Sequence, residues 1–313
     1  MRETKSMSLM ALIKGRNGAN GFGFASTAEE VTAGLDLTGR TILITGVTSG
    51  LGRESARVLA SRGAHIIGTG RDVDTTRRAL EALGGHTTAV ACELSEPSSV
   101  RAAAATVAGL GVPLDSVICN AGIMAVPRLH RKHGYELQFL TNHMGHFILM
   151  QGLADSLAPD GRVVVVSSTA HTGAPKGGIQ FDNLSGERGY GAWSAYGQAK
   201  IANLLFAKEL ARRFEGTGRT ANSLHPGVII TNLGRHMNPV MKFGFGVASV
   251  VMCKTVEQGA ATECYLAAHP AAAGVSGEYF DDCNVARPRA DGTDAHTARK
   301  LWDVSEEIAA KLA

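Results

Sequence analysis

The chain has 313 residues and a mass of 32.7 kDa, a length that fits one α/β sheet better than two domains. Its 44 % hydrophobic and 19 % charged residues exclude a disordered or collagen-like chain and supply apolar surface for a sizeable core. A net charge of +3, with no long basic run, excludes nucleic acid as an expected partner.

The N-terminal stretch Ser8 to Ile13 is apolar but short, and Lys14 and Arg16 follow it, the reverse of the charge-first order of an export signal. Residues 1–34 read as a tail lying over a single domain, 35–313. Thr41–Thr45 is a β-branched apolar run and predicts the first strand; Gly46–Gly52 follows, then a helix over Arg53–Arg62. Ala64–Thr69 predicts strand two. Val73–Leu83 has helix composition and Gly84-Gly85 stops it; His86–Ala91 reads as strand three. Ser95, Ser98 and Ser99 open an Ala-rich helix ending near Gly109, and Leu114–Cys119 is strand four. His133–Leu157 predicts one long helix, stopped by Pro159–Gly161. Within Arg162–Ser167, the run Val163–Val166 marks a strand buried on both faces. Ser194–Phe214 predicts a helix, Arg219–Leu224 a strand leading into Pro226-Gly227, Val275–Phe280 a last strand and Ala295–Leu312 a last helix. Strands alternating with helices mean βαβ units with right-handed crossovers. The expected fold is α/β: a single doubly wound parallel sheet, a Rossmann-type three-layer sandwich with helices on both faces.

No stretch reaches the ~18–20 apolar residues of a membrane span. The five cysteines are odd in number and lack CxxC spacing, so neither a disulfide framework nor a zinc site is expected. A soluble protein of the cytoplasm or another reducing compartment is the expectation. His143 and His146 are three apart on the predicted helix, but no carboxylate partner stands with them, so no metal is expected.

Thr45-Gly46-Val47-Thr48-Ser49-Gly50-Leu51-Gly52 stands between a strand and a helix, the context in which a glycine turn binds phosphate. Gly46 permits the tight turn, Gly50 lets backbone approach a pyrophosphate, and Gly52 lets the helix pack closely. The spacing is GxxxGxG rather than GxGxxG. At the end of strand two, Gly70 stands where an acid would hold a ribose 2′-hydroxyl, and Arg71 follows. A missing acid beside a guanidinium suits a 2′-phosphate, hence NADP(H), with Arg53 as a second cation.

Tyr196-Gly197-Gln198-Ala199-Lys200 is YxxxK on a helix. Together with the glycine turn, Asn120-Ala121-Gly122, Ser168 and Pro226-Gly227, in that order, it resembles the short-chain dehydrogenase/reductases over roughly residues 36–285. GRDVD, ICNAGIM, LQFLTNHMGHFILM, VVVVSSTAH and NSLHPGVIITNLGRH resemble the retinol-dehydrogenase-like branch. STAEEV and GVSGEYF are similar to plant chloroplast-envelope members and related bacterial oxidoreductases. The resemblance implies an NADP-dependent enzyme acting on CH–OH or C=O. It implies catalytic roles for Asn142, Ser168, Tyr196 and Lys200. It implies cofactor contacts from Gly46, Thr48, Ser49, Gly50, Leu51, Gly52, Arg71, Glu93, Leu94, Asn120, Ala121, Gly122, Tyr196, Lys200, Pro226, Gly227, Val228 and Thr231.

On a helix Tyr196 and Lys200 share a face, and the ammonium is expected to draw the phenol pKa down from ~10 so that Tyr196 exchanges a proton with substrate. Ser168 would hold the substrate oxygen; Ser167 is its rival, and the family places the active serine second. In the family Lys200 holds the nicotinamide ribose, Asn142 holds a relay water and Thr231 holds the carboxamide. Two departures stand out. Glu93 replaces the usual Asp that contacts adenine. Ser168 and Tyr196 are 28 positions apart, leaving a Gly-rich loop, Thr169–Trp193, to wall one side of the substrate site.

Asn232–Cys253 is expected as the other wall. It is strongly apolar, with Met237, Met241, Phe243, Phe245 and Met252. As a lid it suits a bulky apolar carbonyl or alcohol: a retinoid, steroid, terpenoid, lipid aldehyde or aromatic ketone. The same segment also reads as a homodimer interface or a peripheral membrane contact. Two further functions stay open: an NADPH-sensing regulatory component with weak turnover, and a double-bond reductase. A serine hydrolase is unsupported, since no GxSxG surrounds Ser168.

Overall fold

The computed structural model describes residues 18–229 and 253–313. In chain order it holds α1 (Ala28–Val31), β1 (Thr41–Thr45), α2 (Gly50–Ser61), β2 (His65–Gly70), α3 (Val73–Glu81), β3 (Thr87–Ala91), α4 (Pro97–Ala108) and β4 (Leu114–Cys119). A short hairpin of β5 (Arg131–Lys132) and β6 (Tyr135–Glu136) leads into α5 (Leu137–Phe139), a π turn (Leu140–Met144) and α6 (Gly145–Leu153). Then come β7 (Leu157–Val166), α7 (Ala192–Arg213), β8 (Thr220–His225), α8 (Val256–Gly259), α9 (Ala261–Ala268), β9 (Tyr279–Asp281), β10 (Asn284–Val285) and α10 (Ala295–Lys311).

Eight strands form one sheet in the order β10-β9-β8-β7-β4-β1-β2-β3. All the pairings but β9–β10 are parallel. Every residue of β1 is buried, as a strand covered by helices on both faces requires. One face carries α4, α6, α7 and α10, where Val100, Phe147, Leu204 and Leu301 share a cluster. The other carries α2, α3 and α9, with Leu59, Leu80 and Tyr265. Chain order reverses at β1, which lies between β2 and β4. Thr45 pairs with Thr69 and Ile44 with Ile118, so the C-terminal ends of the three strands stand level and open one crevice.

Four sequence expectations are corrected. The long helix over His133–Leu157 is a hairpin, a short α turn, a π turn and a shorter helix. His133 at φ 53° and Gly134 at φ 86° make a tight turn that helical backbone cannot contain. Pro159–Gly161 lies inside β7, where the pairing with β4 shifts register between Leu114 and Ser116, and that irregularity absorbs the missing proline N–H. Val275–Phe280 is strand only from Tyr279. The expected doubly wound parallel sheet is present, and Asp282 and Cys283, both with positive φ, add one short antiparallel edge strand, β10. Residues 18–34 do more than lie over the domain. Thr27 and Glu30 form a capping box on α1, whose Ala28 and Val31 are buried in the core beside α9.

The histidines of the central helix are core residues. His143 Nε2 lies 2.9 Å from Ser305 Oγ among Phe139, Phe147 and Phe206. No group of residues that could hold a metal occurs among the described residues. None of their helices is long and apolar enough to cross a membrane.

Glu263 of α9 is fully buried. Its Oε2 accepts from Ser55 Oγ at 2.7 Å, while Oε1 has no partner. Burial pushes its pKa up to about 7. An acid with a raised folded pKa loses stability as pH rises from its unfolded value of ~4.3 to 7. Glu263→Gln should therefore raise the melting temperature by about 2–6 °C at pH 8 and by much less near pH 4, measured by thermal denaturation.

Candidate active site

The glycine turn leaves β1 at Thr45. Gly46 has φ 78°, and a Cβ there would lie 2.9 Å from Ala121 Cβ. A Cβ on Gly52 would lie 2.4 Å from Asn120 Nδ2 and 2.6 Å from Gly46 O, so helix α2 meets the sheet only because this position is glycine. Ser49 precedes α2 without capping it through its side chain, which leaves the first N–H groups of the helix facing the crevice. Thr45 joins the two strand ends: its Oγ1 accepts the Asn120 and Ala121 N–H groups, each at 3.0 Å, and its carbonyl accepts Asn120 Nδ2 at 2.7 Å.

Gly70 ends β2. A Cβ there would meet Thr76 Oγ1 at 2.3 Å, and that hydroxyl is committed to Asp72 O at 2.7 Å. The chain has no room at this point for an acidic side chain. Arg71 is exposed at the rim. Glu93 also lines the crevice, but its carboxylate accepts from Ser95 N at 3.1 Å and Ser95 Oγ at 2.9 Å.

These elements border a cavity of about 1170 Å³. Of the residues singled out in the sequence, Gly46, Thr48, Ser49, Gly50, Leu51, Arg71, Glu93, Leu94, Asn120, Ala121, Gly122, Ser168, Tyr196, Lys200, Pro226, Gly227 and Val228 line it. Gly52 and Asn142 support it from behind. The Asn142 amide bonds both the N–H and the carbonyl of Ile123, at 2.8 and 2.9 Å. Thr231 lies outside the described residues, as does Asn232–Cys253 except for Cys253. Ile229 and Lys254, on either side of that segment, pair with each other, and Val228 and Ile229 line the cavity.

Ser167 and Ser168 have separate positions. Ser167 Oγ donates to Lys200 O at 2.7 Å and is buried; Ser168 is half-buried and lines the cavity with Tyr196. Tyr196 and Lys200 lie on one face of α7, with Lys200 Nζ 5.7 Å from the tyrosine ring centroid and donating to Val166 O at 2.9 Å. The expected fall in the tyrosine pKa is not found. Burial pushes it up to about 12, with the Ser168 hydrogen bond pulling the other way. The same burial pushes Lys200 down to about 8, opposed by Glu263 from the opposite layer. Desolvation outweighs pairing here because both groups are enclosed and the ammonium spends a proton on a carbonyl.

Sequence reasoning missed Ile123, Met124 and Leu137, apolar residues that line the cavity, and His225 at the end of β8. Trp193, the last residue of the loop expected to wall the site, lines the cavity: it lies three positions before Tyr196, on the same helix face, and its ring meets the tyrosine edge-on at 6.2 Å. Of the loop Thr169–Trp193, only the two ends reach the cavity.

The family described as short chain dehydrogenase matches residues 40–241. This chain belongs to that family. Short-chain dehydrogenase TIC 32 B, chloroplastic, of Brassica napus is 41 % identical, over 98 % of this chain and all of that one. Human retinol dehydrogenase 14 is also 41 % identical, over 88 % of this chain and 87 % of its own. An uncharacterised protein of Mycobacterium Paratuberculosis of known crystal structure superposes with a TM-score of 0.72 at 33 % identity, covering 90 % of this chain and 97 % of its own. The family and its retinol-dehydrogenase-like branch are those of dehydrogenases and reductases, and a nicotinamide cofactor fits the glycine turn, where a Cβ at position 46 or 52 would collide.

Gly52→Ala tests that cradle. The added methyl must displace Asn120 or the turn, so the variant should lose about 1–3 kcal/mol of stability by denaturant unfolding. NADPH binding, followed by fluorescence, should weaken as well.

Proposed function

We propose that the protein is an NADP(H)-dependent oxidoreductase that moves a hydride between the nicotinamide and the carbonyl or alcohol carbon of a bulky apolar substrate. One observation carries the reading: Tyr196, Ser168 and Lys200 line the same cavity as the glycine turn and Arg71. A bound nicotinamide supplies or accepts the hydride. The chain's own residues do the rest. Gly46, Gly50 and the open N-terminus of α2 take the pyrophosphate, with Thr48, Ser49 and Leu51 beside it. Gly52 keeps α2 close. Arg71 takes the 2′-phosphate where Gly70 excludes an acid. Glu93, Leu94, Asn120, Ala121 and Gly122 border the adenosine half, and Pro226, Gly227 and Val228 the nicotinamide half.

Ser168 donates its one hydroxyl proton to the substrate oxygen and so holds that oxygen beside the Tyr196 hydroxyl. Tyr196 gives the proton to a carbonyl oxygen on reduction and takes it back on oxidation. Lys200 carries a proton that leaves near pH 8, close to working pH, and so can replenish the phenol; Asn142 shapes the wall behind it. Ile123, Met124, Leu137, Trp193 and Ile229 line the same cavity with apolar atoms, which supports a retinoid, steroid, terpenoid, lipid aldehyde or aromatic ketone as substrate. The five cysteines are all buried and unpaired, which supports a reducing compartment.

Tyr196→Phe removes one hydroxyl and keeps the ring. Turnover of the best carbonyl in an NADPH-oxidation screen should fall by about 10²–10⁴, with NADPH affinity unchanged. A near-normal rate would exclude the mechanism and bring forward the sensor and double-bond readings. Arg71→Ala should weaken NADPH by about 1.5–3 kcal/mol and leave NADH nearly untouched, measured by parallel titrations; equal losses would overturn the cofactor preference.

A further inference from the structure

The turn that carries Ser168 is held from behind by a histidine that does not line the cavity. His171 lies in the 3₁₀ turn Thr169–Gly173 and is buried. Its Nδ1 is 2.6 Å from Ser168 O, the oxygen that its own backbone N–H also reaches at 3.0 Å. Its Nε2 accepts the backbone N–H of Arg289 at 3.0 Å. An N–H pointing at Nε2 requires a lone pair there, so the ring is neutral with its proton on Nδ1, donated to Ser168 O. One tautomer satisfies both contacts.

Arg289 is itself tied down. Its guanidinium donates to Thr172 O at 3.0 Å, Ala174 O at 2.7 Å and Pro175 O at 2.6 Å, and it pairs with Asp291 through Nε at 2.6 Å. The C-terminal segment therefore clamps the loop after β7. On the serine itself, Oγ accepts Ala170 N–H at 3.1 Å, which uses one lone pair and leaves the hydroxyl proton free to point into the cavity.

We propose that His171 is a positioning residue for Ser168: held by Arg289, its imidazole fixes the Ser168 carbonyl and with it the direction of the Ser168 hydroxyl toward Tyr196 and the substrate oxygen. The role rests on the oxidoreductase reading above. Small displacements of a positioned group can cost up to about 10²-fold in rate, so the effect is measurable.

The test is a double-mutant cycle on the full chain, with NADPH and the best carbonyl substrate. His171→Ala should lower kcat about tenfold or more while NADPH affinity changes by less than about twofold. In the Ser168→Ala background the same change should cost less than about twofold, because the group it positions is gone. His171→Asn, whose amide can donate from near the Nδ1 position, should recover most of the rate. Full, multiplicative losses in the Ser168→Ala background would reduce His171 to a packing residue and overturn the role; so would an unchanged kcat in His171→Ala. Should His171→Ala fail to fold, the recovery in His171→Asn and imidazole ¹⁵N spectra of the unliganded wild type decide. A proton on Nδ1 and a bare Nε2 are expected, and the opposite tautomer would overturn the geometry. A wild type that turns over no carbonyl would overturn the oxidoreductase reading and this role with it, whereas wild-type turnover with multiplicative losses overturns the role alone.

Discussion

The Thr45 hydroxyl accepts two backbone N–H groups from the end of β4, and the Thr45 carbonyl accepts the Asn120 amide. These bonds fix the width of the crevice between β1 and β4. The glycine turn must then pass Asn120 and Ala121 at distances that no Cβ permits at positions 46 and 52. His146, also buried, sits behind the same threonine at 2.9 Å and reaches Asn142 O at 2.9 Å. Burial holds its pKa down at about 4, so the hub keeps a neutral ring rather than a charge. The glycine turn, the segment Asn120–Gly122 and the helix that carries His146 thus share one hydrogen-bonded joint.

The parallel sheet was legible because its strands are buried on both faces and read as continuous β-branched runs: Thr41–Thr45 and Leu114–Cys119 have the bounds expected of them. The glycine turn and YxxxK were legible for the same kind of reason, since backbone approach and helical spacing constrain residue types directly. The β5–β6 and β9–β10 hairpins were not. Their turns place His133, Asp282 and Cys283 at positive φ without an Asn-Gly or Asp-Gly signature, so nothing local announces them. The π turn was equally invisible, because its residues have ordinary helix composition. Pro159 misled for a definite reason: a register irregularity between two strands, set by the partner, decides whether a proline breaks an element.

Pair chemistry was the harder inference. Four-residue spacing puts Tyr196 and Lys200 on one face, but it says nothing about how deeply both are enclosed. Enclosure raises the cost of either charge, and the ammonium answers by bonding Val166 O. The Tyr196–Lys200 pair therefore answers to its surroundings on both faces of the sheet, with Glu263 acting on Lys200 from the opposite layer.

The π turn at Leu140–Met144 also sets the phase of everything after it. A π turn holds one more residue than the α turn it replaces, and each helical residue advances by ~100°. Winding the same residues as an unbroken α-helix would rotate the start of α6 by about that angle relative to α5. His146 would swing off Thr45, and Phe147 would leave its aromatic stack with Phe206 and Trp302. The surplus residue acts as a gear tooth: it lets Asn142 serve as a side-chain surrogate for a strand neighbour at Ile123 while the downstream helix still meshes with the core.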